Sequence, residues 1–229
     1  MRVSDSAGEP GRDVVVTIDG PAGAGKSTVA RRLAERLGFE YVNSGAIYRA
    51  VAWRVSRGEA VETALRELRI QFVPVPGGQR VRVDGRDITE ALSSPAVSEL
   101  AASLSQRSDV RAFADRFQRA HAARGPVVVE GRDAGTVVFP NAECKFYLDA
   151  SPEARARRRF AEQKAGGAPA DLGAIRAAIE ARDAADRTRP VAPLEKSADA
   201  TYVDSSGMTV DEVVELMANE VERACSTRS

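Results

Sequence analysis

Little in this chain points to zinc or redox chemistry. Its 229 residues hold two cysteines and one histidine. Cys144 falls in a predicted strand and Cys225 in a C-terminal tail. So distant a pair reads as reduced thiols of a cytoplasmic protein, not as a disulfide framework. His121, with no Cys/His cluster around it, argues against a zinc site. It lies late in a predicted helix, where it is expected to be partly exposed and not catalytic. Charge of one sign is lacking too: 33 Lys plus Arg balance 33 Asp plus Glu, so no basic field suggests a nucleic-acid partner. No stretch approaches the ~18 apolar residues of a membrane span, so no membrane partner is expected. Residues 1–13 are polar and lack the apolar centre of a signal peptide, which predicts a flexible leader. Residues 226–229 read as similarly unstructured. No repeat is visible, and the length suits one domain with an insertion or two small ones.

What is present begins with Gly20-Pro21-Ala22-Gly23-Ala24-Gly25-Lys26-Ser27. This fits G-x-x-x-x-G-K-[ST], the loop that cradles nucleotide phosphates. Val14-Val15-Val16-Thr17-Ile18 precedes it as a buried strand. Val29, Ala30, Leu33, Ala34 and Leu37 follow at helical spacing until Gly38, a C-terminal cap. The glycines let backbone N–H groups converge on phosphate oxygens, and the helix N-terminus adds favourable partial charge. Lys26 would reach the β- and γ-phosphates, and the Ser27 hydroxyl would bind Mg²⁺. The alternative is a glycine-rich turn that binds nothing; the strand and helix on either side argue for a nucleoside triphosphate.

Beyond this unit, residues 39–42 predict a second strand, and Asn43 or Ser44 caps a helix running to about Gly58. A shorter helix lies around 64–68. Ile70, Phe72, Val75, Val81 and Val83 then alternate around Gly77-Gly78 and Asp84-Gly85, predicting a small antiparallel sheet at about residues 70–90. Helices are predicted over 94–105 and 110–124, and strands at 127–129, 144–148 and 202–204. Further helices run from Ser151-Pro152, over 171–186, and from a Thr209/Glu212 capping box. The alternation predicts an α/β three-layer sandwich with a parallel sheet.

Arginines narrow the chemistry. Arg155, Arg158 and Arg159, at i, i+3 and i+4, share one helical face, and Arg182, Asp186 and Arg189, at i, i+4 and i+7, share another beyond the Ala165–Pro169 break. A solvated, salt-bridged surface is one reading. A mobile arginine-rich lid over residues 155–190, neutralising a transferring phosphoryl group, is the other. Ser44, Arg49 and Arg132 could clamp an acceptor's phosphate, a task that suits guanidinium.

Residues 20–28, Ser44-Gly45-Ala46-Ile47-Tyr48-Arg49, Gly131-Arg132-Asp133-Ala134-Gly135-Thr136 through Pro140, and Arg182-Asp183 through Arg189 with Ala192-Pro193-Leu194 together resemble the bacterial cytidylate (CMP/dCMP) kinases. The resemblance runs from about Val14 to Val221. It implies ATP-dependent phosphorylation of CMP or dCMP by a P-loop kinase domain over about 14–225. The monophosphate-binding region would be about 43–124, including the β insert. ATP would be bound by residues 20–27, Thr28 and Arg159, with Lys26, Arg155, Arg158 and Arg189 catalytic. Ser44, Arg49, Arg132 and Arg189 would hold the CMP phosphate, and Arg182 and Asp186 the sugar. Arg111, Asp133 and Ser103 would read the base, a carboxylate accepting from the cytosine amine. Ala22 and Ser27 stand where some relatives have Ser and Gly. Mg²⁺ as cofactor and action as a monomer complete the expectation. A kinase for another monophosphate such as UMP is the rival reading, and a regulatory nucleotide switch another. The absence of an Asn-Lys-x-Asp guanine motif weighs against the latter.

Overall fold

The computed structural model describes residues 14–167 and 169–226. The reading of 1–13 as a leader lies outside these, as do 227–229. Five parallel strands form the central sheet: β1 (Val15–Asp19), β2 (Glu40–Asn43), β6 (Val127–Glu130), β7 (Cys144–Asp149) and β8 (Thr201–Asp204), in the order β2-β6-β1-β7-β8. β1 sits at the centre, paired along its length with β6 and β7. Its residues alternate between the two faces. Val16 and Ile18 enter the core shared with α1 (Lys26–Leu37) and α8 (Val210–Ser226). Val15 faces the opposite core with Val127, Val129, Ile47 of α2 (Ser44–Val55) and Ala114 of α5 (Ser108–Ala122). A strand buried on both faces needs this continuous β-branched run.

The antiparallel sheet forms where alternation predicts it, from β3 (Ile70–Val75), β4 (Gly78–Val83) and β5 (Arg86–Asp87). Its Asp84-Gly85 turn has both residues at positive φ, the geometry the dipeptide favours. Val81 and Val83 pack on Ala50 and Val51 of α2, on Leu68 beyond α3 (Val61–Glu67), and on Val97 of α4 (Pro95–Leu104). Gln79 ties this insert to the main sheet by donating to the Tyr41 carbonyl at 2.8 Å.

Helix ends follow side-chain chemistry. Asn43, Ser94, Ser151 and Asp171 each accept an N–H from the first turn of α2, α4, α6 (Pro152–Ala165) and α7 (Leu172–Thr188). Thr209 and Glu212 bond reciprocally ahead of α8. Three expectations need correcting. α2 stops at Val55, before the Gly58 turn. Ser226 belongs to the last turn of α8. His121 is buried: its Nδ1 pairs with Glu40, and its ring packs 4.6 Å from Phe117. Helical phase alone cannot reveal that β2 supplies it a carboxylate.

Candidate active site

The glycine loop, Ser44, Arg132 and Asp133 leave the C-terminal ends of β1, β2 and β6, the edge where α/β proteins place ligands. The loop from Gly20 to Gly25 leaves β1 there. Gly20 has φ +148°, and a Cβ on it would lie 2.0 Å from the Leu148 carbonyl oxygen, so β7 leaves room only for glycine. α1 starts at Lys26 with no side-chain cap and no acid in its first turn. Its leading N–H groups, beside exposed Ser27 and Thr28, are open to an anion.

Lys26 folds back, donating from Nζ to the Pro21 carbonyl at 2.6 Å. Burial, then the neighbouring Arg132 charge, lowers its pKa to about 7. A polyphosphate beside the amine favours the ammonium form. ATP binding is therefore expected to take up a proton, approaching about one per site at about pH 8 and little below about pH 6. Calorimetry in buffers of different ionisation enthalpy reads this number; zero uptake at both pH values would remove the role assigned to Lys26.

Across from the loop lies a basin of guanidinium groups. Arg132, just beyond β6, donates Nε to Asp186 of α7 at 2.8 Å. Arg49 of α2 and Arg182 of α7 make no hydrogen bond or ion pair with a described residue. Arg49 is half-buried and Arg182 exposed at the surface; partial desolvation lowers the pKa of each, and Arg132 lowers both further. Arg49 also feels the exposed Arg159, whose own partner is Glu162 at 3.1 Å. Glu130, Asp186 and Asp183 offset part of this charge, but Arg49 and Arg182 bond directly to none of them, so both guanidinium groups can receive an anion. Ser44, at the start of α2, donates to the Glu130 carbonyl at 2.6 Å on the basin's margin.

One wall of the site is a buried carboxylate between two arginines. Asp133 accepts from Arg111 of α5 through one oxygen and from Arg189, at 3.1 Å, through the other. Tyr48 lies under Arg111, 6.0 Å from ring centre to guanidinium carbon. Arg189 also donates to the Ala192 carbonyl and stands 4.0 Å from Asp186, at the seam between the wall and the basin. Ser103 is exposed on α4, and Arg111 donates to the Ser105 carbonyl two residues further on at 3.4 Å.

The three arginines of α6 diverge. Arg155 is buried against Ala22, Ala150 and Asp183. Arg158 donates to the Ala24 carbonyl at 3.3 Å and to Ser205. Arg159 remains exposed. Two acids given no role by sequence reasoning complete the site. Asp19 ends β1 and accepts the N–H groups of Ala134 and Gly135 at 2.9 and 2.7 Å, capping a π-helical turn over Ala134–Val138. Burial raises its pKa to about 6. A Cβ on Gly135 would approach Thr17 Oγ1 to 2.7 Å, so this turn too demands glycine. Glu130 ends β6 and accepts from the Tyr41 hydroxyl at 2.6 Å. The signal available for both was an acid closing a buried strand at the ligand edge.

For Mg²⁺, the protein offers the Ser27 hydroxyl, with the Tyr41 hydroxyl and Glu130 close by. Among the described residues no group of three or more His, Cys, Asp or Glu side chains could enclose a metal. A single hydroxyl suits a cation that takes most of its oxygens from water and phosphate. No helix among the described residues is long and apolar enough to cross a membrane.

Glycine loop, uncapped helix and opposing cationic basin define a P-loop nucleotide-binding protein of the kinase class. A family profile described as cytidylate kinase matches residues 16–223. The chain belongs to the cytidylate kinase family. It is 43% identical over 223 residues to the cytidylate kinase of Geobacter sulfurreducens, spanning 93% of this chain and 96% of that one. It is 46% identical over 215 residues to the bifunctional pantoate ligase/cytidylate kinase of Prochlorococcus marinus, covering 90% of this chain but 43% of that longer protein. An uncharacterized protein from Eubacterium ventriosum shares the fold, with TM-score 0.54, 13% identity and coverage of 93% and 99%.

Proposed function

We propose that this chain transfers the γ-phosphoryl group of ATP to CMP or dCMP, giving ADP and CDP or dCDP. The observation that carries the reading is the basin of Arg49, Arg132 and Arg182 facing Lys26 and the glycine loop. It supplies a second anion site beside the first, and phosphoryl transfer needs two phosphates held end to end.

The loop N–H groups and Lys26 hold the triphosphate of ATP. Ser44, Arg49 and Arg132 hold the acceptor phosphate, with Arg182 adding charge and Arg189 joining from the seam. Asp186 fixes Arg132 and faces the sugar. Asp133, held by Arg111 and Arg189, keeps lone pairs on both oxygens and can accept from the cytosine amine. Arg158, beside the loop, and exposed Arg159 would donate to the transferring group. Mg²⁺, held through Ser27 and the nucleotide, would neutralise phosphate charge. No general base is required, because a monophosphate oxygen is already nucleophilic at neutral pH. The arginine-rich pair α6 and α7 serves as the lid that excludes water.

An acceptor panel with Mg·ATP tests this. CMP and dCMP are expected to be phosphorylated about 10–100-fold more efficiently than UMP or AMP, the range that one base-edge contact supplies. A preference for UMP would move the chain to another acceptor. GTP hydrolysis unaffected by any acceptor would instead favour a switch.

A further inference from the structure

Asp183 is the least exposed carboxylate among the described residues, at 1%, and neither the family resemblance nor the reaction assigns it a role. It lies on α7, yet its Oδ1 accepts the N–H of Ala22 in the glycine loop at 2.9 Å. Its Oδ2 accepts from Arg155 Nη1, and that same nitrogen donates to the Ala22 carbonyl at 3.0 Å. Arg155 Nε is anchored on the Ala150 carbonyl at 2.9 Å, at the exit of β7. Both backbone polar groups of Ala22 are thus held by one buried ion pair drawn from α6 and α7. The fit beside it is close: a Cβ on Gly23 would lie 3.3 Å from Arg155 Cβ and 3.6 Å from Ile179.

A buried Arg–Asp pair could serve only to fasten α6 to α7. Here each partner also bonds the loop's main chain at Ala22. The loop's curvature decides whether the N–H groups of residues 23–26 converge on a phosphate, so a clamp on Ala22 acts on that convergence. The same helix carries Arg182 beside Asp183 and Asp186 one turn later, and both face the acceptor basin. We infer that Arg155 and Asp183 are positioning residues: they preset the glycine loop for the triphosphate by holding both backbone polar groups of Ala22. This rests on the phosphotransfer reading above.

The test compares Asp183→Asn with the double variant R155M/D183L, reading thermal stability, ATP affinity without acceptor, and KM for CMP. Asp183→Asn leaves a buried guanidinium short of its counter-charge, so Tm falls. ATP binding is expected to weaken about tenfold or more, because small misplacements of a positioning frame have large effects. KM for CMP stays within about twofold, since no acceptor contact is removed. The double variant removes both charges and leaves none unpaired, so Tm recovers toward wild type. ATP affinity does not recover, because nothing holds Ala22. A double variant with wild-type ATP affinity would reduce the pair to a structural fastening, as would an equal rise in KM for both substrates. If the acceptor assignment itself is mistaken, the wild-type protein binds ATP and fails to phosphorylate CMP, a separate outcome.

Discussion

Replacing Arg132 with alanine is expected to lower kcat/KM for CMP by about 10²–10³-fold, the scale for removing one preorganised donor to phosphoryl charge. ATP affinity should remain within about twofold of wild type at neutral pH, because Arg132 bonds to Asp186 and the Gly131 carbonyl and not to the glycine loop. Its charge also lowers the pKa of Lys26, so its removal lets that amine hold its proton to higher pH. The nearby Asp186 loses the Nε donor at 2.8 Å but keeps Arg189 within 4.0 Å, which limits the damage to the fold. Steady-state kinetics with each substrate varied, together with ATP titration, check this. Equal loss for both substrates would mean that Arg132 supports the whole site and is no acceptor clamp.

Asp133→Ala is expected to act twice. Arg111 and Arg189 are both buried and both bonded to this carboxylate. Removing it leaves two guanidinium groups without their shared counter-charge, a loss of about 3–5 kcal/mol by analogy with broken buried pairs. The preference for CMP over UMP should also collapse, by about tenfold or more, since the acceptor for the cytosine amine is gone. Asp133→Asn separates the two effects. Its amide keeps the volume and one acceptor oxygen, so denaturant unfolding should show a smaller loss, while the amide can donate to uracil and still erode the preference. An unchanged CMP/UMP ratio in both variants would remove Asp133 from base recognition whatever its structural weight.

Local chemistry made much of this protein legible in its sequence. The strand–loop–helix around Lys26, the caps at Asn43, Ser94, Ser151 and Asp171, and the Asp84-Gly85 turn are each decided within a few residues. So is the parallel sheet, whose buried β-branched strands β1 and β6 announce helices on both faces. Partners set by distant segments were hidden. The spacing of Arg155, Arg158 and Arg159 predicts one face of α6. It does not tell that the first meets Asp183, the second Ser205, and the third Glu162 at the exposed surface. His121 shows the same limit, its burial depending on Glu40 in a strand 81 residues earlier. The π-helical turn at Ala134–Val138 is not written in its own small and β-branched residues; it depends on Asp19, whose carboxylate caps it from β1. Ser103 lies on the exposed side of α4, one position before buried Leu104 and two before the serine whose carbonyl meets Arg111.

The central claim is that the acceptor phosphate sits among Arg49, Arg132 and Arg182, opposite the glycine loop and Lys26. A crystal structure with CMP and a non-hydrolysable ATP analogue measures this directly. The expected result is the CMP phosphate within hydrogen-bond distance of Arg49 and Arg132, its free oxygen pointing at the terminal phosphate over Lys26, and the cytosine amine at Asp133. CMP bound elsewhere, or with its phosphate turned away from the loop, would contradict the account.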